Sequence, residues 1–413
     1  MKGAECEFDL LIVGGGLVGA SLACALGSCA DAPRIGLVEA VPFDASDQPS
    51  YDGRASALAW GSRCILDGIG VWPGVEAGGA EPIGAIHVSD RGHFGVTRLS
   101  AREAGVPALG YVVRNRTLGN ALAQRLQTLP TVEVITPAQP QALAIEDERA
   151  VVTLQHAGEA RRVSARLLVA ADGGRSAVRA LAGIEPQSRD YGQSAVIAEV
   201  RMARPHRGCA FERFTETGPL ALLPLDGRDR CSLVWSARSD EVEGLLALDE
   251  ADFLARLTRR SGRLLGEALE LHGRHAYPLA LQLVEQPVGP RLALVGNAAH
   301  AVHPVGGQGY NLGLRDAAAL AEAVIDGLRA GHDPGAPELL ERYAAGRSAD
   351  YRRTVRFTDT MVGLFSNNLP PLAALRNAGL FGLDLLPPLK RLLMEHAMGL
   401  AGRQTRPARG LPL

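Results

Sequence analysis

The segment from Phe8 to Leu26, FDLLIVGGGLVGASLACAL, leaves the chain few ways to fold. Leu10 to Val13 is a short apolar run suited to a strand buried on both faces. Gly14-x-Gly16-x-x-Gly19 follows, and small apolar residues then continue as a helix. The glycines of such a turn serve the tight bend, close approach of backbone to a pyrophosphate, and close packing of helix on strand. The helix N-terminus offers free N–H groups and a positive dipole end to the anion. The stretch RIGLVEA supplies a second strand ending in Glu39, about twenty residues after the last glycine, where a ribose-binding acid belongs. An acid there points to FAD or NAD rather than NADP. The combination predicts an α/β protein that opens with a Rossmann-like unit.

Leu10 to Ala30 carries no charge and is long enough to raise a membrane span. Glycines interrupt it, however, and Glu5, Glu7 and Asp9 precede it where a signal peptide needs positive charge. It reads as strand, turn and helix. At 413 residues, 46% hydrophobic and 21% charged, the chain has the composition of a soluble globular protein with a large core in two domains. A formal net charge of -2 and the lack of a basic block give no reason to expect a nucleic-acid partner. Cys6, Cys24, Cys29, Cys64, Cys209 and Cys231 are scattered, which suits reduced thiols in the cytoplasm better than disulfides or a metal.

Two later stretches repeat the strand, turn and helix theme. RLLVAADGGRSAVRALAG reads as a strand from Leu167 to Ala171, a turn at Asp172-Gly173-Gly174, and a helix capped by Ser176. Arg175 and Arg179 sit near the first turns of that helix, where cations oppose its dipole, so an anion is expected nearby. RLALVGNAAHAVHPVGGQGYNLGLRD, from Arg291 to Asp316, is the other. Leu292 to Val295 reads as a buried strand. Pro304 stiffens the approach to Gly306, Gly307 and Gly309, a loop able to form a backbone nest. Leu314, Ala317, Ala318, Leu320, Ala321, Val324, Ile325 and Leu328 then recur at helical spacing. His300 and His303 stand three apart with no third ligand close by, so no metal is expected.

Together the three segments resemble the flavoprotein aromatic monooxygenases, the para-hydroxybenzoate hydroxylase-like family, over nearly the whole chain. The resemblance implies that Gly14, Gly16, Gly19 and Glu39 hold the ADP half of FAD. It implies that Asp172 and Gly173, with Arg179, lie near the pyrophosphate and serve NAD(P)H binding as well. Asn297, Pro304, Gly306, Gly307, Gln308, Gly309 and Asn311 would embrace the ribityl chain and ring at the other end of the same FAD. Arg54, in YDGRASAL, matches the family arginine beside the flavin, and Arg116, in YVVRNRTLGNAL, matches a polar strand-to-helix position. SYDGRASALAWG, AFERFTETGPLALLPL and VGNAAHAVHPVGGQGYNLGLRDA are similar to the ubiquinone-pathway branch, most of all to its 2-polyprenyl-6-methoxyphenol hydroxylases. The wider family has Gly-Asp where this chain has Gly296-Asn297. Asparagine keeps an acceptor oxygen for a ribityl hydroxyl and loses the charge.

By resemblance, NAD(P)H reduces the flavin, O2 is activated on it, and one oxygen atom passes to a prenylated phenol. The sequence singles out no catalytic side chain. A flavin dehydrogenase or reductase of the same fold, and a non-catalytic accessory protein of the quinone pathway, stand as rival readings. The expected FAD-binding domain is discontinuous, 1–75, 108–185 and 276–335. The segments 76–107 and 186–275 form an inserted mixed β-sheet substrate domain, and 336–413 is helical. The last region is rich in Leu, Phe and Met but broken by prolines at 370, 371, 387 and 388. A lipid-soluble substrate implies peripheral contact with the inner membrane, or delivery within a complex of pathway proteins or a homo-oligomer.

Overall fold

A computed structural model describes residues 7–44, 48–262, 264–365 and 386–413, with Asn377, Gly379 and Gly382 as isolated positions between the last two spans. Its first sheet is built around β1 (Phe8–Val13), which pairs in parallel with β2 (Ile35–Val38) on one side. On the other side β1 pairs in parallel with the end of the long strand β11 (Glu159–Ala170), so that Leu10 faces both Ile35 and Leu167. β8 (Val132–Ile135) extends the sheet beyond β2, and β18 (Leu292–Leu294) and β17 (Val288–Gly289) extend it beyond β11. β9 (Ala138–Ile145) and β10 (Ala150–His156) add an antiparallel flap to the first half of β11.

Strand alternation divides the β1 side chains between two cores. Leu10 and Ile12 join the apolar cluster that includes Leu22 and Leu26 of the first helix, Leu17–Gly27, and Leu314 and Leu320 of the helix Gln308–Arg329. Leu11 and Val13 pack on the opposite side with Val152, Val163 and Leu168. The uncharged stretch 10–30 is therefore a buried strand and helix. No helix among the described residues is long and apolar enough to cross a membrane.

The second sheet is large and mixed. Its order is β19 (His300–Ala301), β16 (Ala268–Leu283), β12 (Gln187–Met202), β15 (Arg230–Arg238), β14 (Gly218–Pro224), β13 (Cys209–Thr215), β5 (Ala85–Asp90) and β6 (Val96–Ser100). The helices Ser239–Ala247 and Glu250–Ser261 cover one face, where Trp235, Phe253 and Leu257 are buried together. The other face looks toward the first sheet. A small third sheet, β3 (Ala55–Ala59), β7 (Gly110–Arg114) and β4 (Ala80–Ile83), lies between them in sequence.

The substrate-side sheet differs from its expected boundaries in two places. β16 continues to Leu283 because it stays in register with the equally long β12, so the boundary expected at 275/276 falls inside a strand. β4, expected within the substrate segment 76–107, pairs with β7 instead. The C-terminal region supplies the helices Pro337–Phe365 and Pro387–Ala397 and a final turn at Pro407–Arg409.

Candidate active site

A cavity of about 1350 Å³ runs from the first glycine turn to the inner face of the second sheet. Sites for a single small molecule occupy roughly 300–1,000 Å³. This one has room for a dinucleotide and a second ligand beside it.

At one end stand Gly14, Gly16, Glu39 and Ser50. Gly14 adopts φ +104, and a Cβ there would meet the Ala171 carbonyl oxygen at 2.5 Å. Gly19 is not a lining residue; its missing Cβ would lie 1.9 Å from the Gly14 carbonyl oxygen, so it serves packing of helix on strand. A Cβ on Gly16 would meet the Ser50 hydroxyl at 2.8 Å, on the cavity side. Gly16 is the N-cap of the first helix and provides no side-chain cap, so its first N–H groups remain free for a ligand. Glu39 is nearly buried and braces the turn, one carboxylate oxygen accepting from Gly15 N–H at 2.5 Å and the other from Val41 N–H at 3.0 Å.

The second turn brings Asp172, Gly173 and Arg175 to the cavity wall. Ser176 caps the short helix Ala177–Leu181, its hydroxyl accepting from Arg179 N–H at 3.0 Å. Asp172 Oδ2 accepts from Val178 N–H, whereas its buried Oδ1 has no partner among the described residues. A buried acceptor left unpaired is costly, so a donor from a ligand fits there. The expectation that Arg179 marks an anion is corrected. Its buried guanidinium donates to the carbonyls of Ala298, at 2.8 Å, and Gly174, at 2.6 Å. It ties the second turn to the third segment and is not among the residues that line the cavity.

In the third segment Asn297 points into the cavity from a tight turn, Gly296–Ala298, and no described residue hydrogen-bonds its amide. Pro304, Gly306, Gly307, Gln308, Gly309 and Asn311 all line the cavity. Gly306 and Gly307 take successive left-handed conformations, φ +67 and +65, which turn the chain sharply into the helix Gln308–Arg329. That helix also lacks a side-chain cap, so a second helix N-terminus opens on the cavity. The Asn311 amide is fully engaged with backbone: it accepts from Ala59 N–H and donates to the carbonyls of Ala57 and Gly307. Asn311 fixes the loop against β3.

Both histidines have structural partners. His303 Nδ1 accepts from Val305 N–H at 3.3 Å, which leaves Nε2 to donate to Gln193 Oε1 at 3.1 Å. Burial pushes His303 down to about 4, so it is neutral at physiological pH. His300 Nε2 donates to Asp316 at 2.6 Å. Asp316 is fully buried and also accepts from Gly296 N–H, Arg347 and Tyr351. Burial alone would raise this carboxyl, but His300 and Arg347 overcome it and hold Asp316 at about 2. This joint behind the loop went unnoticed in the sequence, where Asp316 looks like one more charge on an amphipathic helix.

Arg54 reaches the cavity, with its Nε on Asp52 at 2.5 Å and its guanidinium 4.9 Å from the Tyr277 ring centre. Arg116 does not: its side chain is exposed and outside the cavity wall. The start of the helix Asn115–Gln127 turns Asn115 inward instead, where it accepts from the Ser56 hydroxyl and donates to Asp52. Adjacent residues on a helix face different directions, and the motif alone did not say which one points in.

The far end of the cavity is apolar. Ile86, Val88, Ala195, Ile197, Phe214 and Leu223 face it from the second sheet, and Phe357, Met361, Leu389 and Leu393 close it from the C-terminal helices. Glu212, on β13, breaks this pattern, and burial pushes its carboxyl up to about 7.

The features at the first end fit FAD: two uncapped helix N-termini, a glycine backbone open to close approach, and an orphaned acceptor on Asp172. An FAD binding domain model matches residues 7–358. The chain is 45% identical to "Ubiquinone hydroxylase UbiL" of Rhodospirillum rubrum, over 99% of this chain and 94% of that one. It is 36% identical to "3-demethoxyubiquinol 3-hydroxylase" of Escherichia coli, over 95% of this chain and 98% of that one. Among solved structures, p-nitrophenol 4-monooxygenase from Pseudomonas putida superposes with a TM-score of 0.81 at 20% identity, covering 97% of this chain and all of that one (100%).

Proposed function

The chain belongs to the FAD binding domain family of flavoprotein aromatic monooxygenases, and on that footing we propose that it hydroxylates a polyprenylated methoxyphenol in ubiquinone biosynthesis, converting 2-polyprenyl-6-methoxyphenol to 2-polyprenyl-6-methoxy-1,4-benzoquinol. The observation that carries this reading is the two-part cavity, with polar backbone at one end and an apolar sheet floor at the other. FAD, reduced by NAD(P)H, supplies activation of O2 for transfer of one oxygen atom to an electron-rich ring.

The chain's own residues do the rest. The N-terminus of the first helix would receive the pyrophosphate across Gly16, and Glu39 would accept from the adenosine ribose. Asn297 would offer an acceptor to a ribityl hydroxyl, and the unpartnered Oδ1 of Asp172 would accept from a donor of the cofactor nearer the pyrophosphate. The uncapped N-terminus of the helix Gln308–Arg329 would lend a positive dipole end to the flavin, where negative charge on the reduced ring would be stabilised. The apolar floor excludes water from the place of oxygen transfer. Arg54, held by Asp52 and stacked on Tyr277, borders the boundary between cofactor and substrate ends.

A prenyl tail leaves the floor past Leu389 and Leu393, beside the exposed Leu386, Leu389 and Leu392. These leucines, with Arg391 next to them, form a surface suited to peripheral contact with a lipid membrane. The test of the overall reading is oxygen uptake and NAD(P)H oxidation by the purified holoenzyme with short-chain 2-prenyl-6-methoxyphenol and with a demethoxyquinol analogue. Phenol-stimulated turnover with a hydroxylated product supports it, and the position of the new hydroxyl fixes the step. Flavin turnover with an added acceptor and no hydroxylated product from either compound would favour a reductase.

A further inference from the structure

The geometry points to Glu212 as the group that accepts the hydroxyl proton of the bound phenol. This rests on the aromatic-hydroxylase reading above. Glu212 lies on β13 between Ala221 of β14 and Val88 of β5, with all three on the cavity wall. It is the sole carboxyl that the described residues place on the sheet side of the cavity. None of the described residues hydrogen-bonds or pairs with it, and burial is the single influence on its titration. Neither the neighbouring strands nor Phe357 and Met361, from the helix opposite, bring a charge to it.

An isolated carboxyl in an apolar wall costs stability and gains nothing from the fold around it. Such groups gather where chemistry uses them. The other candidates near the cavity are committed elsewhere. Both ring nitrogens of His303 are occupied, and His300 is held by Asp316 and does not line the cavity. Tyr310 shares a hydrogen bond with Ser21, and Tyr277, whose ring faces the Arg54 guanidinium, is itself a phenol and offers no base distinct in kind from the substrate.

In the step, the phenol O–H bond breaks with its electron pair left on the ring oxygen, and the proton moves to a Glu212 carboxylate oxygen. The ring, now richer in electrons, forms the new C–O bond with one atom of O2. The second atom leaves as water, with two electrons supplied by NAD(P)H. The carbon that gained oxygen loses its hydrogen as a proton, and Glu212 returns its proton to the ring oxygen. A carboxyl that titrates near working pH is well matched to this exchange with a phenol of pKa about 10.

The experiment compares wild-type, E212Q and E212L holoenzymes on short-chain 2-prenyl-6-methoxyphenol and its methyl ether. Flavin absorbance is expected to persist in all three. Product formation by E212Q at pH 7.5 should fall by about 100-fold or more. The wild-type rate should rise through a titration near 7, and E212Q should lack that limb. Quenching of flavin fluorescence should show wild type preferring the phenol to its ether by about tenfold, and E212L should lose the preference. Melting gives a readout free of activity. A carboxyl raised from 4.5 to about 7 adds stability below the lower value and loses it as pH rises through the upper one. E212Q should therefore melt above wild type at pH 8, with the gap closed at pH 4.5. An E212Q enzyme that matches wild type in rate and pH profile overturns the role of Glu212 alone. Absence of hydroxylated product from wild type overturns the functional reading beneath it.

Discussion

Gly16 and Gly19 look alike in the motif but answer to different neighbours. The side chain that Gly19 lacks would strike the backbone of Gly14 itself, whereas that of Gly16 would meet only the Ser50 hydroxyl and the cavity. Gly16→Val is accordingly expected to leave a folded, largely colourless protein, with wild-type circular dichroism and under a tenth of the flavin. Gly19→Val should lower the melting temperature, since the clash is with backbone that cannot move aside. Flavin retained in Gly16→Val would remove this residue from the cofactor site. Asn297 offers a similar contrast. If it serves a ribityl hydroxyl as an acceptor, Asn297→Asp should keep FAD. Asn297→Leu should weaken it by about 1–3 kcal/mol, read by flavin release on dilution, because a buried hydroxyl loses its partner. Equal affinity in all three proteins would exclude the role.

Among elements, the helix Pro387–Ala397 carries the clearest division of labour. Met394 and Met398 are buried against Leu99 and Leu109, while Leu386, Leu389 and Leu392 are 50%, 47% and 61% exposed. Leu386→Glu and Leu392→Glu, at positions outside the cavity wall, should weaken binding to anionic liposomes in co-sedimentation and slow turnover of a long-tailed phenol. A short-tailed, water-soluble analogue should still be turned over. An equal loss with both substrates would mean that the helix serves packing. Leu383, another apolar residue of this region, lies outside the described residues.

For the molecule as a whole, Asp316 is the joint on which several parts close. It gathers Gly296 behind the Asn297 turn, His300 on β19, and Arg347 and Tyr351 of the helix Pro337–Phe365. Replacing it by alanine leaves Arg347 with Asp350 as its remaining carboxylate and strips His300, Tyr351 and Gly296 N–H of their buried acceptor, at a cost of roughly 1–3 kcal/mol or more, measurable by urea unfolding at pH 7. The carboxyl is held below its unfolded value of 3.8, at about 2, so its contribution is present above 3.8 and lost as pH falls through 2. The stability gap between wild type and Asp316→Ala should narrow as pH falls below 4. A gap that is absent at pH 7 would show that the network does not hold these elements together.

Local chemistry was enough to read the strand, turn and helix of each glycine segment, because tight turns and close backbone approach demand glycine wherever they occur. Period-two and helical patterns likewise marked the substrate sheet and the terminal helices. Which residue of a motif points inward was a matter of tertiary packing. Helix phase turned Asn115 into the cavity and Arg116 out of it, and a neighbouring pair of carbonyls claimed Arg179. Glu212 sits in an ordinary strand pattern, and its isolation arises from Val88, Ala221 and Met361, which are distant in sequence. Burial and charge pairing depend on what the rest of the chain brings alongside, so the sequence by itself determined the cofactor frame, and the tertiary structure decided which side chains face the substrate.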